Sequence, residues 1–290
     1  MTPNQMGALF MMASMASFTL NDTFFKITGG AVPLFQLLFL RGVLTTVLVI
    51  LLAKWLKALH FAISRRDWGL IGLRSLAELG AAYFFVTALF NLPLANVTAI
   101  LQALPLTVTL GGALFFKEAV GWRRMSAILI GFVGMLLIVR PGPDGFSIYS
   151  TYALMAVLCV TLRDLSTRRL SSDVPSMVVT LSASVIVTVF SGIASLATPW
   201  VAVSGVNIWM IIASSFCIFG GYYFSVRVMR VGEISFIAPF RYTGLVWALI
   251  LGFLVFGDWP DYLTLIGAGI VVATGLFTLY RENAMKKAEG

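Results

Sequence analysis

The sequence predicts an all-α integral membrane protein of ten transmembrane helices, laid out as two inverted five-helix repeats. Three observations predict it. Hydrophobic residues make up 59% of the 290-residue chain and charged residues 11%, with a mean hydropathy of +0.96; a soluble domain carries about 25% charged residues, and no packed soluble core hides so much apolar surface. Apolar runs of roughly 20 residues, the length a helix needs to cross the hydrocarbon, recur along the whole chain. Lys and Arg gather in alternate loops, as topology signals do.

The expected spans run over residues 4–26, 33–56, 67–91, 94–116 and 122–139, then 149–170, 175–197, 206–229, 234–256 and 260–281. Turn chemistry separates them at Gly29-Gly30, Asn91-Leu92-Pro93, Pro141-Gly142-Pro143, Pro175, Pro199 and Asp258-Trp259-Pro260. The segments are continuously apolar and too long for barrel strands. Met1 to Phe25 lacks a basic leader and a small-residue cleavage site, so it reads as a first span rather than a cleavable signal.

Fourteen of the 20 basic residues fall in the loops and tail of one side, from Lys54, Lys57, Arg65 and Arg66 through Arg227 and Arg230 to Arg281, Lys286 and Lys287. Only Lys26 and Arg140 lie in the opposite loops. The bias predicts a cell inner (cytoplasmic) membrane protein with both termini cytoplasmic. Six tryptophans, Trp55, Trp68, Trp122, Trp200, Trp209 and Trp259, fall near span ends, where an amphipathic ring prefers the interface. The net charge of +8 does not point to nucleic acid, because the basic residues stand singly or in pairs between apolar runs. Cys159, Cys217 and the lone His60 form no metal-ligand spacing, so no metal is expected. No phosphate-cradling Gly-x-x-x-x-Gly-Lys-Ser/Thr loop is present, so ATP is not the direct energy source.

The second half echoes the first. Thr19-Leu20-Asn21-Asp22 matches Thr161-Leu162-Arg163-Asp164, Tyr83-Phe84-Phe85 matches Tyr222-Tyr223-Phe224, and Phe115-Phe116-Lys117-Glu118 matches Val255-Phe256-Gly257-Asp258. Each half, residues 1–146 and 147–290, holds five spans, an odd number, so the halves insert with opposite orientation. That is the plan of secondary transporters, with a site near the midplane where the halves meet. On Arg41-Gly42, Phe115-Phe116-Lys117-Glu118, Pro239-Phe240-Arg241-Tyr242 and Phe256-Gly257-Asp258, the chain resembles the ten-helix EamA-domain members of the drug/metabolite transporter superfamily, over nearly its whole length. The resemblance implies an exporter of small amphipathic metabolites, amino acids above all, working by alternating access. Uptake of a nucleoside-like or vitamin-like solute is the alternative. A membrane scaffold or enzyme is the reading from another class.

Ionisable groups inside a bilayer are costly, and each is a candidate for function or for a structural ion pair. Asn21, Asp22, Arg41 and Gln102 share one depth, and Arg163, Asp164 and Arg241 share another, so two polar clusters are expected across the midplane, as gates or as braces. Glu78 follows Arg74 by four residues, on one helical face; facing water it would be a proton carrier, and proton coupling is expected on that condition alone. Tyr83, Tyr222, Tyr223, Tyr242 and Trp247 are candidate cavity lining, offering apolar walls with polar tips. Pro105 and Pro239 interrupt their spans and are hinge candidates. Gly131 and Gly134 with Gly267 and Gly269 mark a close contact, within the chain or in a homodimer, between the fifth and tenth spans. The expected partners are the lipid bilayer and a small-molecule solute, with the chain a monomer or homodimer.

Overall fold

The computed structural model describes residues 2–117, 121–140, 147–171, 173–228, 231 and 234–289. Glu118, the turn Pro141-Gly142-Pro143, the boundary between the proposed halves and Arg230 therefore lie outside the described residues. The described chain is helical throughout: α1 (Pro3–Ile27), α2 (Leu34–Trp55), α3 (Arg65–Asn91), α4 (Leu94–Phe116), α5 (Trp122–Val139), α6 (Ile148–Arg168), α7 (Ser176–Ser195), α8 (Gly205–Val228), α9 (Ala238–Phe256) and α10 (Tyr262–Glu289). Seven of these are long and apolar enough to cross a membrane by length and composition. The apolar stretches of α5 and α10 are shorter, Met125–Val139 and Tyr262–Thr278, and α1 is diluted by Thr19, Asn21, Asp22 and Thr23. Large apolar side chains such as Leu51, Leu76, Leu114, Ile193 and Leu254 point outward, exposed, as lipid rather than water is their solvent.

The pairing of helices reveals the repeat. α1 lies along α8 and α3 along α6, while α2 pairs with α7, α4 with α9 and α5 with α10. Exchanging each helix with the one five places on turns this set into itself, as a two-fold relation between two five-helix halves requires. The match between Phe116-Lys117 and Phe256-Gly257 recurs in the backbone: α4 and α9 both end on a left-handed residue, Lys117 at φ 55° and Gly257 at φ 68°.

Two spans are interrupted at the prolines that the sequence singled out. α4 is broken between Leu94–Leu101 and Leu104–Phe116, and a helical turn, Ile234–Ile237, leads into α9 through a tight 3-10 turn, Ala238–Tyr242, before Thr243–Phe256. Proline is the physical reason in both. Pro105 has no N–H for the carbonyl of Leu101, and Pro239 sits in the first turn of its 3-10 segment. The breaks are repeat-related, and α4 packs on α9.

Glycine sets the closest helix contact. A Cβ on Gly267 would lie 2.5 Å from the Gly134 carbonyl oxygen, and one on Gly134 would lie 2.9 Å from that of Gly267. The expected contact of α5 with α10 is thus made within the chain. Gly131 joins it against Thr274, whereas Gly269 faces open space.

Candidate functional site

The charged residues of the spans converge on the middle of the bundle. Arg41 comes from the first third of α2, Glu78 from the middle of α3, and Arg163 and Asp164 from the last third of α6. Arg163 reaches across the halves: its Nη1 lies 3.3 Å and 3.5 Å from the two carboxylate oxygens of Glu78. Its Nε donates to Asp164 Oδ1 at 2.9 Å. Arg74 Nη2 approaches Glu78 at 4.0 Å, and Arg74 Nε donates to Thr167 Oγ1 of α6 at 3.1 Å. The expected Arg74–Glu78 pair on one helix face is therefore present and is the longer of two. Glu78 belongs with Arg163 and Asp164, so the sequence's two clusters are unequal, one confined to the first half and one shared between halves.

The first cluster is a corner formed by α1 and α2. Arg41 Nη1 donates to Asn21 Oδ1 at 3.4 Å, and Asn21 Nδ2 donates to Asp22 Oδ1 at 2.9 Å. The guanidinium also lies 4.4 Å from the Phe25 ring, a cation–π contact. Gln102, buried at the break of α4, lies near Gly244 of α9, whose added Cβ would sit 3.8 Å from the Gln102 Nε2. Between the two clusters stands Tyr222 of α8, within electrostatic reach of Glu78, Arg163, Arg41 and Arg74. Its ring meets Phe18 edge-on, centroids 5.7 Å apart. Arg241 sits at the broken start of α9, attracted to Asp164 and with an exposed side chain despite its depth among the helices. Away from the helix ends, the described spans carry Arg41, Arg74, Arg163 and Arg241 against Asp22, Glu78 and Asp164.

Of the aromatic candidates, Tyr222 alone joins the charged cluster. Tyr83 is drawn into an aromatic group with Phe35, Phe84 and Tyr152, centroids 5.3–6.3 Å apart. Tyr223 packs beside Phe224 and against Leu52, Ala53 and Met177. Tyr242 is 7% exposed, its hydroxyl wedged against Gly275. It borders an apolar groove of about 600 Å³ between α4, α9 and α10, lined by Ala95, Ala99, Leu245, Leu249, Ala268 and Val272 among others. Trp247, a candidate for cavity lining, stands instead on the outward face of α9, 36% exposed. Its neighbour Ala248 is the residue of that turn that is fully buried, and the helix phase turns the indole toward lipid.

Sequence reasoning passed over the contacts that close the two ends. At the end bearing the termini, Asp67 of α3 accepts from the Ser171 amide at 3.1 Å and the Ser171 hydroxyl at 3.0 Å, tying the two halves. At the other end, Gln36 of α2 donates to the Val201 carbonyl at 2.8 Å and accepts from the Val201 amide at 3.1 Å. Lys26 donates to the carbonyls of Leu89 and Leu92, lies 5.4 Å from the Phe256 ring and is attracted to Asp258. Lys26 was visible as one of two basic residues on its side. The partners of Asp67 and Gln36 in the other half are more than 100 residues away and carry no local signal. Among the described residues no cluster of His, Cys, Asp and Glu could hold a metal ion.

Residues 5–140 match the EamA-like transporter family. Across 284 residues the chain is 24% identical to an S-adenosylmethionine uptake transporter of Rickettsia bellii, covering 97% of this chain and 96% of that protein. A riboflavin transporter of Vibrio cholerae is 27% identical over 247 residues, 83% of this chain and 82% of its own. A pseudopaline exporter of Pseudomonas aeruginosa is 25% identical over 286 residues, 94% and 96% respectively. One crystal structure superposes with a TM-score of 0.64 at 18% identity, covering 93% of this chain and 94% of that one; it supports the fold alone.

Proposed function

We propose that this chain, similar over residues 5–140 to the EamA-like transporter family and over most of its length to named transporters, is an EamA-type multi-pass membrane transporter rather than an enzyme, a secondary carrier exporting small amphipathic metabolites, amino acids first among them, across the cytoplasmic membrane. The observation that carries this reading is the bridge from Glu78 to Arg163, which joins the two inverted halves by charge in the middle of the bundle. An apolar contact there would brace the halves permanently. An ion pair whose side chains keep 21% and 23% exposure can exchange protein partners for a solute or water.

Alternating access then needs one end to part while the other holds. The Asp67–Ser171 latch serves the terminal end, and the Gln36–Val201 pair with Lys26 serves the opposite end. Each hydrogen bond contributes about 0.5–1.5 kcal/mol, or about 1.5–3 kcal/mol to a charged group. A latch of two or three is therefore small enough to open on thermal timescales and large enough to hold. Pro105 and Pro239 act as the hinges, since the breaks they impose on α4 and α9 lie where those helices pack together. Proton coupling through Glu78 fits this geometry less well, because both its carboxylate oxygens face a guanidinium. The names of the uptake relatives favour the reverse direction, with a vitamin-like or nucleoside-like solute, as the second reading.

Proteoliposome flux of a labelled amino-acid panel, in both directions and with and without a pH gradient, tests the proposal. Saturable efflux of at least one amino acid is expected. No flux above empty liposomes for any member removes the amino-acid assignment. Inward flux of riboflavin or S-adenosylmethionine in its place would establish the uptake reading. A gradient response lost in Glu78→Gln would restore Glu78 as the proton carrier.

A further inference from the structure

Arg41 is an incompletely satisfied cation of the interior. Its Nε is buried and has no hydrogen-bond partner among the described residues. Among the described residues its one hydrogen bond is the long one, 3.4 Å, to Asn21 Oδ1. Asp22 attracts it but does not close on it, and spends one carboxylate oxygen on the Asn21 amide at 2.9 Å. A guanidinium presents five N–H groups in a planar fork matched to a carboxylate. An ordinary structural pair would use that fork on Asp22, one helix away. Here the acid and the base are held apart by the asparagine between them.

Such spacing suits a ligand that brings both charges. An α-amino acid carries its ammonium and carboxylate on one carbon, so the two groups need an acid and a base side by side and not bonded to each other. We propose that the Asn21–Asp22–Arg41 corner is the head-group clamp of the carrier, with the solute's carboxylate on the Arg41 fork and its ammonium on Asp22. This rests on the carrier function proposed above and narrows its substrate to solutes bearing a free α-amino-carboxylate. The charges of Asp22 and Arg41 cancel, and so do those of the zwitterion, so no net charge is moved into hydrocarbon when the site fills. Tyr222 and Phe18, stacked edge-on, offer an aromatic wall for the solute's side chain, and Tyr222 lies within reach of Arg41.

The test compares an amino acid that the wild type transports with its carboxamide and its N-acetyl derivative as competitors in proteoliposomes. Each blocked derivative should compete at least about tenfold more weakly than the parent. Arg41→Gln should raise KM for the parent to near that of the carboxamide while leaving the carboxamide unchanged. Asp22→Asn should do the same for the N-acetyl derivative. Wild-type competition indifferent to both blocks overturns the clamp, as does an equal loss for all solutes in variants that elute and melt like the wild type. Should both variants misfold, the wild-type competition decides alone. Absence of any amino-acid flux would instead remove the underlying substrate assignment.

Discussion

At the scale of single residues, the interior charges divide by what they touch. Glu78 is held by Arg163 and Arg74, so Glu78→Gln leaves Arg163 with Asp164 and Arg74 with no carboxylate in contact, only the Thr167 hydroxyl. Removing one partner of a fully buried ion pair costs about 3–5 kcal/mol. Glu78 retains 21% exposure, so we expect a loss nearer 2 kcal/mol, read as a lower melting temperature in detergent together with reduced flux. Arg163→Gln should destabilise less, because Glu78 keeps Arg74 and Asp164 is the most exposed of the group; equal losses would place the strain elsewhere. The residue types and depths of this cluster were readable from the chain, since charge in an apolar run is conspicuous. Its pairing was not. Helical spacing shows the neighbour four residues away, Arg74, and hides the closer one, Arg163, 85 positions on. Trp247 shows the same limit, because mid-span depth is legible in one dimension and the side of the helix that meets lipid depends on neighbours.

At the scale of elements, the prolines announced where α4 and α9 would break, and the aligned Phe-Lys and Phe-Gly pairs announced where both would end. What the repeat implies physically is that one backbone solution serves both ends, a left-handed C-terminal residue. Gly257 adopts it at no steric cost, whereas Lys117, at φ 55° and ψ 31°, carries a Cβ into the same region. Lys117→Gly should therefore stabilise the protein by about 1 kcal/mol, offset slightly by greater freedom of the unfolded chain. Gly257→Lys should destabilise it by a similar amount. A thermal-shift comparison of the two reciprocal variants checks this, and a Lys117→Gly protein that melts earlier would mean that the lysine side chain contributes more than its backbone strain costs. The end latches were illegible at this scale, because Gln36 binds the main chain of Val201 and any residue type offers those groups.

At the scale of the whole molecule, hydropathy revealed the helix count and the odd number per half revealed the inversion, while the pairings that interleave the halves emerged only in three dimensions. α1 against α8 and α3 against α6 are both contacts between halves, so neither five-helix unit buries its own faces alone, and the proposed alternation would shift α1 and α3 together relative to their partners. Direction of insertion is a separate matter. Fourteen basic residues against two on the loop faces predict cytoplasmic termini, since the inverted insertion would require several charged-loop translocations. The Asn21–Asp22–Arg41 corner lies toward the end of α1 remote from the N-terminus, so that orientation would set the proposed clamp nearer the periplasm and the Asp67 latch at the cytoplasm. A fluorescent protein fused after residue 290 should fold and fluoresce, and alkaline phosphatase fused there should be inactive. Phosphatase inserted between α9 and α10, beside Trp259, should be active. If the reporters give the reverse pattern, the cytoplasmic latch becomes the periplasmic one and the clamp faces the cytoplasm, where an exporter would load its solute directly.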